Sequence, residues 1–191
     1  MLPVAEDEYE RVDRTFRSAI DSSDLVVSSG GVSVGAHDVT RDVVESLTGG
    51  MDFWKIKMKP GKPLAFGIAE DDDAALLGLP GNPASCFVGF HQFVRPAIGW
   101  LQGLDIADLQ PRTLEAVTGR DVTSTPHRRE YLSGRLIFRH GEPPEFIPAA
   151  QQNSGNLSLF CEATAFGLVE EGVDELMAGD PLQVELIPEQ F

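Results

Sequence analysis

Three groups of residues in this chain are suited to holding an anion. The first is Ser28-Ser29-Gly30-Gly31-Val32-Ser33-Val34-Gly35. Ser29 and Ser33 bring hydroxyl donors, and Gly30, Gly31 and Gly35 let the backbone come close to a ligand. Asp38 follows at once. A carboxylate there suits Mg²⁺ or a polar ligand group, and it equally suits the N-cap of a helix; the two roles are compatible. The second group is basic: Lys55, Lys57, Lys59 and Lys62. On one strand Lys55, Lys57 and Lys59 share a face, so that face meets either solvent or an oxyanion. Lys62 follows the Pro60-Gly61 turn and can reach the same place. The third group is Gly78-Leu79-Pro80-Gly81-Asn82-Pro83. Asn82 is a natural N-cap and Pro83 fits the first helical position. Free N–H groups at that helix start are expected to bind an anion, with simple capping as the plainer reading. Ser85 and Cys86 fall in the first turn, and no Ser/His/Asp arrangement stands out.

These groups need elements to position them. Val12, Phe16, Ala19 and Ile20 recur at helical spacing and predict a helix over residues 6–22. Leu25-Val26-Val27 predicts a buried strand over 24–28, and Val39, Val43, Val44 and Leu47 predict a helix over 38–47. Strands are expected at 53–58, 64–68 and 74–79, and an apolar helix at 83–101 with a kink at Pro96. After Gly103 helical periodicity stops. Short alternating runs at 113–117, 130–138, 145–148, 166–169 and 181–187 predict a small all-β barrel or sandwich. The expected fold is therefore α/β over residues 1–105, followed by an all-β barrel-like domain over 106–191. A doubly wound domain usually opens on a strand, and this chain opens almost directly into a helix. The expectation is that the first domain is partial and lacks its N-terminal strand.

Composition narrows the function. The chain has 191 residues, 30 acidic against 15 basic, for a net charge of −15. That balance argues against nucleic acid and against an anionic membrane as partners, and leaves a small molecule. A dispersed acidic excess of this size also fits a protein from a salt-loving organism. Cys86 and Cys161 show no metal-ligand spacing, the four histidines are scattered, and the start lacks the pattern of a secretion signal. A reducing cytoplasm is the expected compartment.

Taken together, the three groups resemble the molybdopterin molybdenumtransferase family, the MoeA type that includes the E domain of gephyrin. The residues that carry the resemblance are Ser28 to Gly35 with Asp38-Val39-Thr40, then Phe53-Trp54-Lys55-Ile56-Lys57-Met58-Lys59-Pro60-Gly61-Lys62-Pro63, then Gly78 to Pro83. A weaker match runs through Arg129-Glu130-Tyr131, Asn153-Ser154-Gly155-Asn156-Leu157-Ser158 and Ala178-Gly179-Asp180. The resemblance covers the C-terminal half of the family's length. It implies a three-layer MoaB/MogA-like α/β domain and a C-terminal β-barrel, domain IV. It implies insertion of molybdate into adenylylated molybdopterin, with Mg²⁺ and release of AMP. By position, Asp38, Lys55, Lys59 and Asp7 would be catalytic, and Asp38 and Asp7 would hold the metal. Ser29, Gly30, Gly31, Ser33, Gly35, Lys62, Pro80, Gly81, Asn82 and Pro83 would shape the cofactor pocket. The family also implies a homodimer with sites between subunits, or association with a separate N-terminal half. Two other functions stay open: a non-catalytic molybdopterin-binding or assembly module, and a CinA-like nicotinamide-nucleotide hydrolase. The lysine-rich stretch from Trp54 to Pro63 argues against the second.

Overall fold

Helix α1 (Tyr9–Ile20) buries Val12, Phe16, Ala19 and Ile20, the stripe that its apolar spacing dictates. In the computed structural model it leads into strand β1 (Leu25–Ser29) and then helix α2 (Val39–Leu47), which buries Val43, Val44 and Leu47. The structure describes residues 4–6, 8–32, 39–50, 53–69, 74–150 and 162–188, with backbone only at Phe53 and Trp54. Asp7, Ser33, Gly35, Asp38, Cys161 and the Asn153–Ser158 stretch lie outside the described residues.

The chain divides into two units, Met1–Ile56 with Gly61–Leu109, and Lys57–Pro60 with Gln110–Phe191. In the first unit, β2 (Phe53–Lys55), β4 (Pro63–Ile68) and β5 (Ala75–Leu79) join β1 in a four-stranded sheet. The order is β1-β5-β4-β2, with β1 parallel to β5 and the other pairs antiparallel. Alternation along β5 sends Leu76 to one face and Leu77 and Leu79 to the other. Leu76 packs with α1 and α2 through Val12, Phe16, Val43, Val44 and Leu47. Leu77 and Leu79 pack with Leu64 and Val94 on the opposite side. Helices on both faces of one sheet make three layers.

The helix expected over 83–101 is present in three pieces. They are α3 (Pro83–Gly89), a π-helical stretch (Phe90–Val94) and α4 (Arg95–Leu101). Pro96 has no N–H to give the preceding turn. The backbone absorbs that loss by widening rather than by a simple kink: the Arg95 N–H donates to the Phe90 carbonyl, five residues back. A short helix, α5 (Ile106–Leu109), ends the unit.

The second unit is a closed five-stranded barrel. Its strands are β6 (Thr113–Thr118), β8 (Arg129–Ile137), β9 (Glu145–Pro148), β10 (Ala165–Val169) and β12 (Pro181–Leu186). The order β10-β12-β6-β9-β8 closes because β8 also pairs with β10. A small ribbon of β7 (Val122–Thr123) and β11 (Glu175–Leu176) accompanies it. Phe146 fills the interior at 0% exposure, among Ala116, Leu132, Leu182 and Val184. Room for its ring comes from two glycines: a Cβ on Gly134 or Gly167 would lie 2.5 Å from a ring carbon of Phe146.

One expected strand is absent as such. Residues 53–58 do not run as a single strand. The chain leaves the first sheet after Lys55, and β3 (Met58–Lys59) pairs in parallel with β8 of the barrel. Lys55 and Lys59 therefore belong to different sheets and share no face.

Candidate functional site

Strand directions place the anion-suited residues. Since β5 is antiparallel to β4 and β4 to β2, β2 runs in the same sense as β1 and β5. The carboxyl ends of β1, β5 and β2 thus lie at one edge of the sheet. The register agrees: Ser29 is level with Leu79, and Lys55 is level with Pro63 at the start of β4. Lys62 immediately precedes Pro63. Two strand spacings, roughly 10 Å, separate β5 from β2. The carboxyl edge of an α/β sheet is where ligands of this architecture sit.

At that edge the two glycine turns touch. The Gly30 N–H donates to the Leu79 carbonyl at 2.9 Å. A Cβ on Gly81 would come within 3.3 Å of the Gly30 Cα, so the second turn passes close to the first. Gly31, at φ 70°, is fixed twice over. Its backbone is left-handed, and a Cβ there would fall 2.0 Å from Thr40 Oγ1 at the start of α2. Val32, next in the chain, is completely buried and pins the turn. Ser29 is exposed beside α3, and the Cys86 thiol donates to its Oγ at 3.8 Å.

The start of α3 differs from expectation. Asn82 Oδ1 accepts from the Ala84 N–H at 3.1 Å and the Ser85 N–H at 3.4 Å. The Cys86 N–H donates to the Asn82 carbonyl, and Pro83 has no N–H. Every amide from Pro83 to Cys86 is thus used or absent, so the first turn of the helix has no free donor for an anion. Donors at this edge come from the turns instead. No described residue accepts a hydrogen bond from the Gly31, Gly81 or Asn82 amide. Pro80 is buried and Gly81 exposed, so the second turn offers its backbone outward.

Among the described residues, no group of three or more His, Cys, Asp or Glu side chains could hold a metal ion. Asp7 and Asp38, the carboxylates that the resemblance implies for Mg²⁺, lie outside the described residues. A cavity of about 270 Å³ in the barrel unit is lined by Arg120, Arg135, Ile147 and Glu162 among others. None of its residues is among those singled out by the sequence.

Residues 2–100 match the family model described as a probable molybdopterin binding domain. Residues 115–187 match the MoeA C-terminal region (domain IV). The chain belongs to the MoeA-type molybdopterin molybdenumtransferase family. It is 36% identical over 185 residues to a molybdopterin molybdenumtransferase of Haemophilus influenzae, covering 97% of this chain and 44% of that protein. A protein of the same name from Nostoc sp. is 31% identical over 189 residues, covering 98% and 43%. The crystal structure of a molybdopterin biosynthesis MoeA protein from Pyrococcus horikosii superposes with a TM-score of 0.78 at 28% identity, over 98% of this chain and 43% of that one. The chain therefore spans less than half the length of each of these three proteins.

In this MoeA-type chain the first unit brings together Ser29, Gly30, Gly31, Pro80, Gly81, Asn82 and Pro83, and sets Lys55 and Lys62 on the same sheet edge. Lys55 and Lys62 are exposed. Lys59 belongs to the barrel unit, where its ammonium pairs with Glu130 and donates to Thr125 Oγ1 at 3.1 Å. Lys57 pairs with Glu171 at 2.9 Å. Next to Glu130, burial pushes the Tyr131 phenol above its ordinary pKa, and the Glu185 carboxylate adds to the shift. Sequence reasoning missed Glu130 and Thr125 as partners of Lys59. A signal was available for Glu130, which shares the inward parity of Leu132 and Leu136 on β8 and is a charge on an otherwise apolar face.

Proposed function

We propose that this chain carries the pterin-binding and molybdate-handling part of a molybdenumtransferase. The supporting observation is the convergence of the two touching glycine turns, Lys55 and Lys62 on one sheet edge. The turn amides and the Ser29 hydroxyl suit the phosphate groups of adenylylated molybdopterin. Lys55 and Lys62 suit the dianion molybdate as point charges, and Lys59, on the barrel unit, is by itself a further candidate for an oxyanion. Insertion of molybdate at the dithiolene then accompanies release of AMP. Asp38 and Asp7 are the proposed ligands of Mg²⁺, which when bound supplies positive charge to the phosphates. Ser33 and Gly35 are proposed to bind the same phosphates. In this reading the protein acts in the cytoplasm as a homodimer. Among the described residues, no helix is long and apolar enough to cross a membrane.

The test is AMP release from adenylylated molybdopterin by the purified chain, with Mg²⁺ and molybdate. The expected result is release that falls at least about tenfold, a loss of about 1.4 kcal/mol in transition-state stabilisation, in Lys55→Ala and in Asp38→Ala. Variants that match the wild-type rate would remove both residues from the site. A second reading is a non-catalytic pterin-binding module. Molybdopterin binding without any AMP release would establish that one instead.

A further inference from the structure

Glu130 sits on β8 at 3% exposure. A carboxylate so deep requires a charge partner and donors. Two groups supply them. The Thr125 N–H donates to Oε2 at 3.3 Å, and the Lys59 ammonium pairs with Oε1. The same ammonium donates to Thr125 Oγ1 at 3.1 Å, which closes a three-membered network. An ammonium has three N–H groups, and the network uses two. The Lys59 side chain remains 46% exposed, so the third is within reach of solvent or a ligand. The neighbouring pairs Lys57–Glu171 and Arg129–Glu170 are exposed on both partners and hold nothing so firmly.

We propose that Glu130 is a positioning residue for Lys59. With Thr125 it fixes the ammonium on the barrel and leaves one N–H for an oxyanion of the substrate. This rests on the reading that Lys59 meets molybdate or a pterin phosphate. A lysine on a free four-carbon stem samples many positions; one tied to a buried carboxylate is preorganised before the anion arrives.

Competitive acetylation of lysines, read by mass spectrometry on the folded chain with and without molybdate, tests this. In the wild type Lys59 should react more slowly than Lys62, and molybdate should slow it further. Glu130→Gln should raise Lys59 acetylation severalfold, leave Lys62 unchanged and abolish the molybdate protection. Glu130→Asp, which keeps the charge, should restore part of it. The half-saturating molybdate concentration for AMP release should rise in Glu130→Gln more than the maximal rate falls. Should Glu130→Gln fail to fold, Thr125→Val removes one acceptor of the network and should raise Lys59 acetylation in the same direction. Unchanged Lys59 acetylation in the folded variants would overturn the proposal. Absence of molybdate protection in the wild type would instead count against the functional reading, while the contrast between variants still reports on Glu130.

Discussion

At the scale of single residues, the candidate site depends on positions where nothing larger fits. Gly31 is left-handed and lies against Thr40, so Gly31→Ala combines backbone strain with a clash. A destabilisation of about 1–3 kcal/mol is expected, seen as a lower urea midpoint. Gly81→Val acts differently, since Gly81 is exposed and its nearest obstacle is the Gly30 Cα. It should cost less stability than Gly31→Ala and block the approach of a ligand to the turn. Asn82→Ala removes the acceptor of two amides and should cost about 1 kcal/mol in thermal or chemical unfolding. The capping role of Asn82 was legible in the sequence, because Asn followed by Pro is a helix-start signature. The saturation of the remaining amides was not, because it depends on cap geometry that residue types do not specify.

At the scale of elements, hydrophobic period identified the longer helices and strands and missed the short α5, β7 and β11. The apolar stripe of α1 and the alternation of β6, β8 and β12 are local patterns, and local patterns survive in the fold. The break after Lys55 was invisible for the opposite reason. Met58 and Lys59 leave one sheet for another because of pairing with β8, about seventy positions away, and no local period records that. The π-helical stretch is legible only in hindsight from Pro96. That stretch carries His91, which packs edge-on against Phe87 and Phe90. Burial, then the charge of Arg95, lowers its pKa from the ordinary 6.5. The folded state thus resists a proton that the unfolded chain accepts. Stability tied to His91 is complete above pH 6.5 and is lost as the pH falls from there through the folded value. Substitution by Gln should flatten that part of the acid limb in a pH series of unfolding curves. In the barrel, Gly167→Ala drives a methyl group into the Phe146 ring. It should destabilise the barrel unit by about 1–3 kcal/mol.

At the scale of the whole molecule, a net charge of −15 acts on every state of the chain. Self-repulsion opposes compactness and is screened by salt. The melting temperature should therefore climb by several degrees between dilute buffer and molar KCl, as scanning calorimetry would show. A flat response would argue against adaptation to high salt. The family was legible because its motifs are short, ordered and rich in glycine, proline and lysine. The partners of Lys59 were not, because Glu130 and Thr125 come from a distant part of the chain. In the proposed function the touching turns at the carboxyl edge of the first sheet form the pterin site. The most direct test is an anaerobic titration of molybdopterin into the wild-type chain and into Gly81→Val, with folding of both verified. Saturable binding by the wild type and a marked loss in the variant are expected. Equal binding by both would contradict that assignment and move the ligand away from this edge.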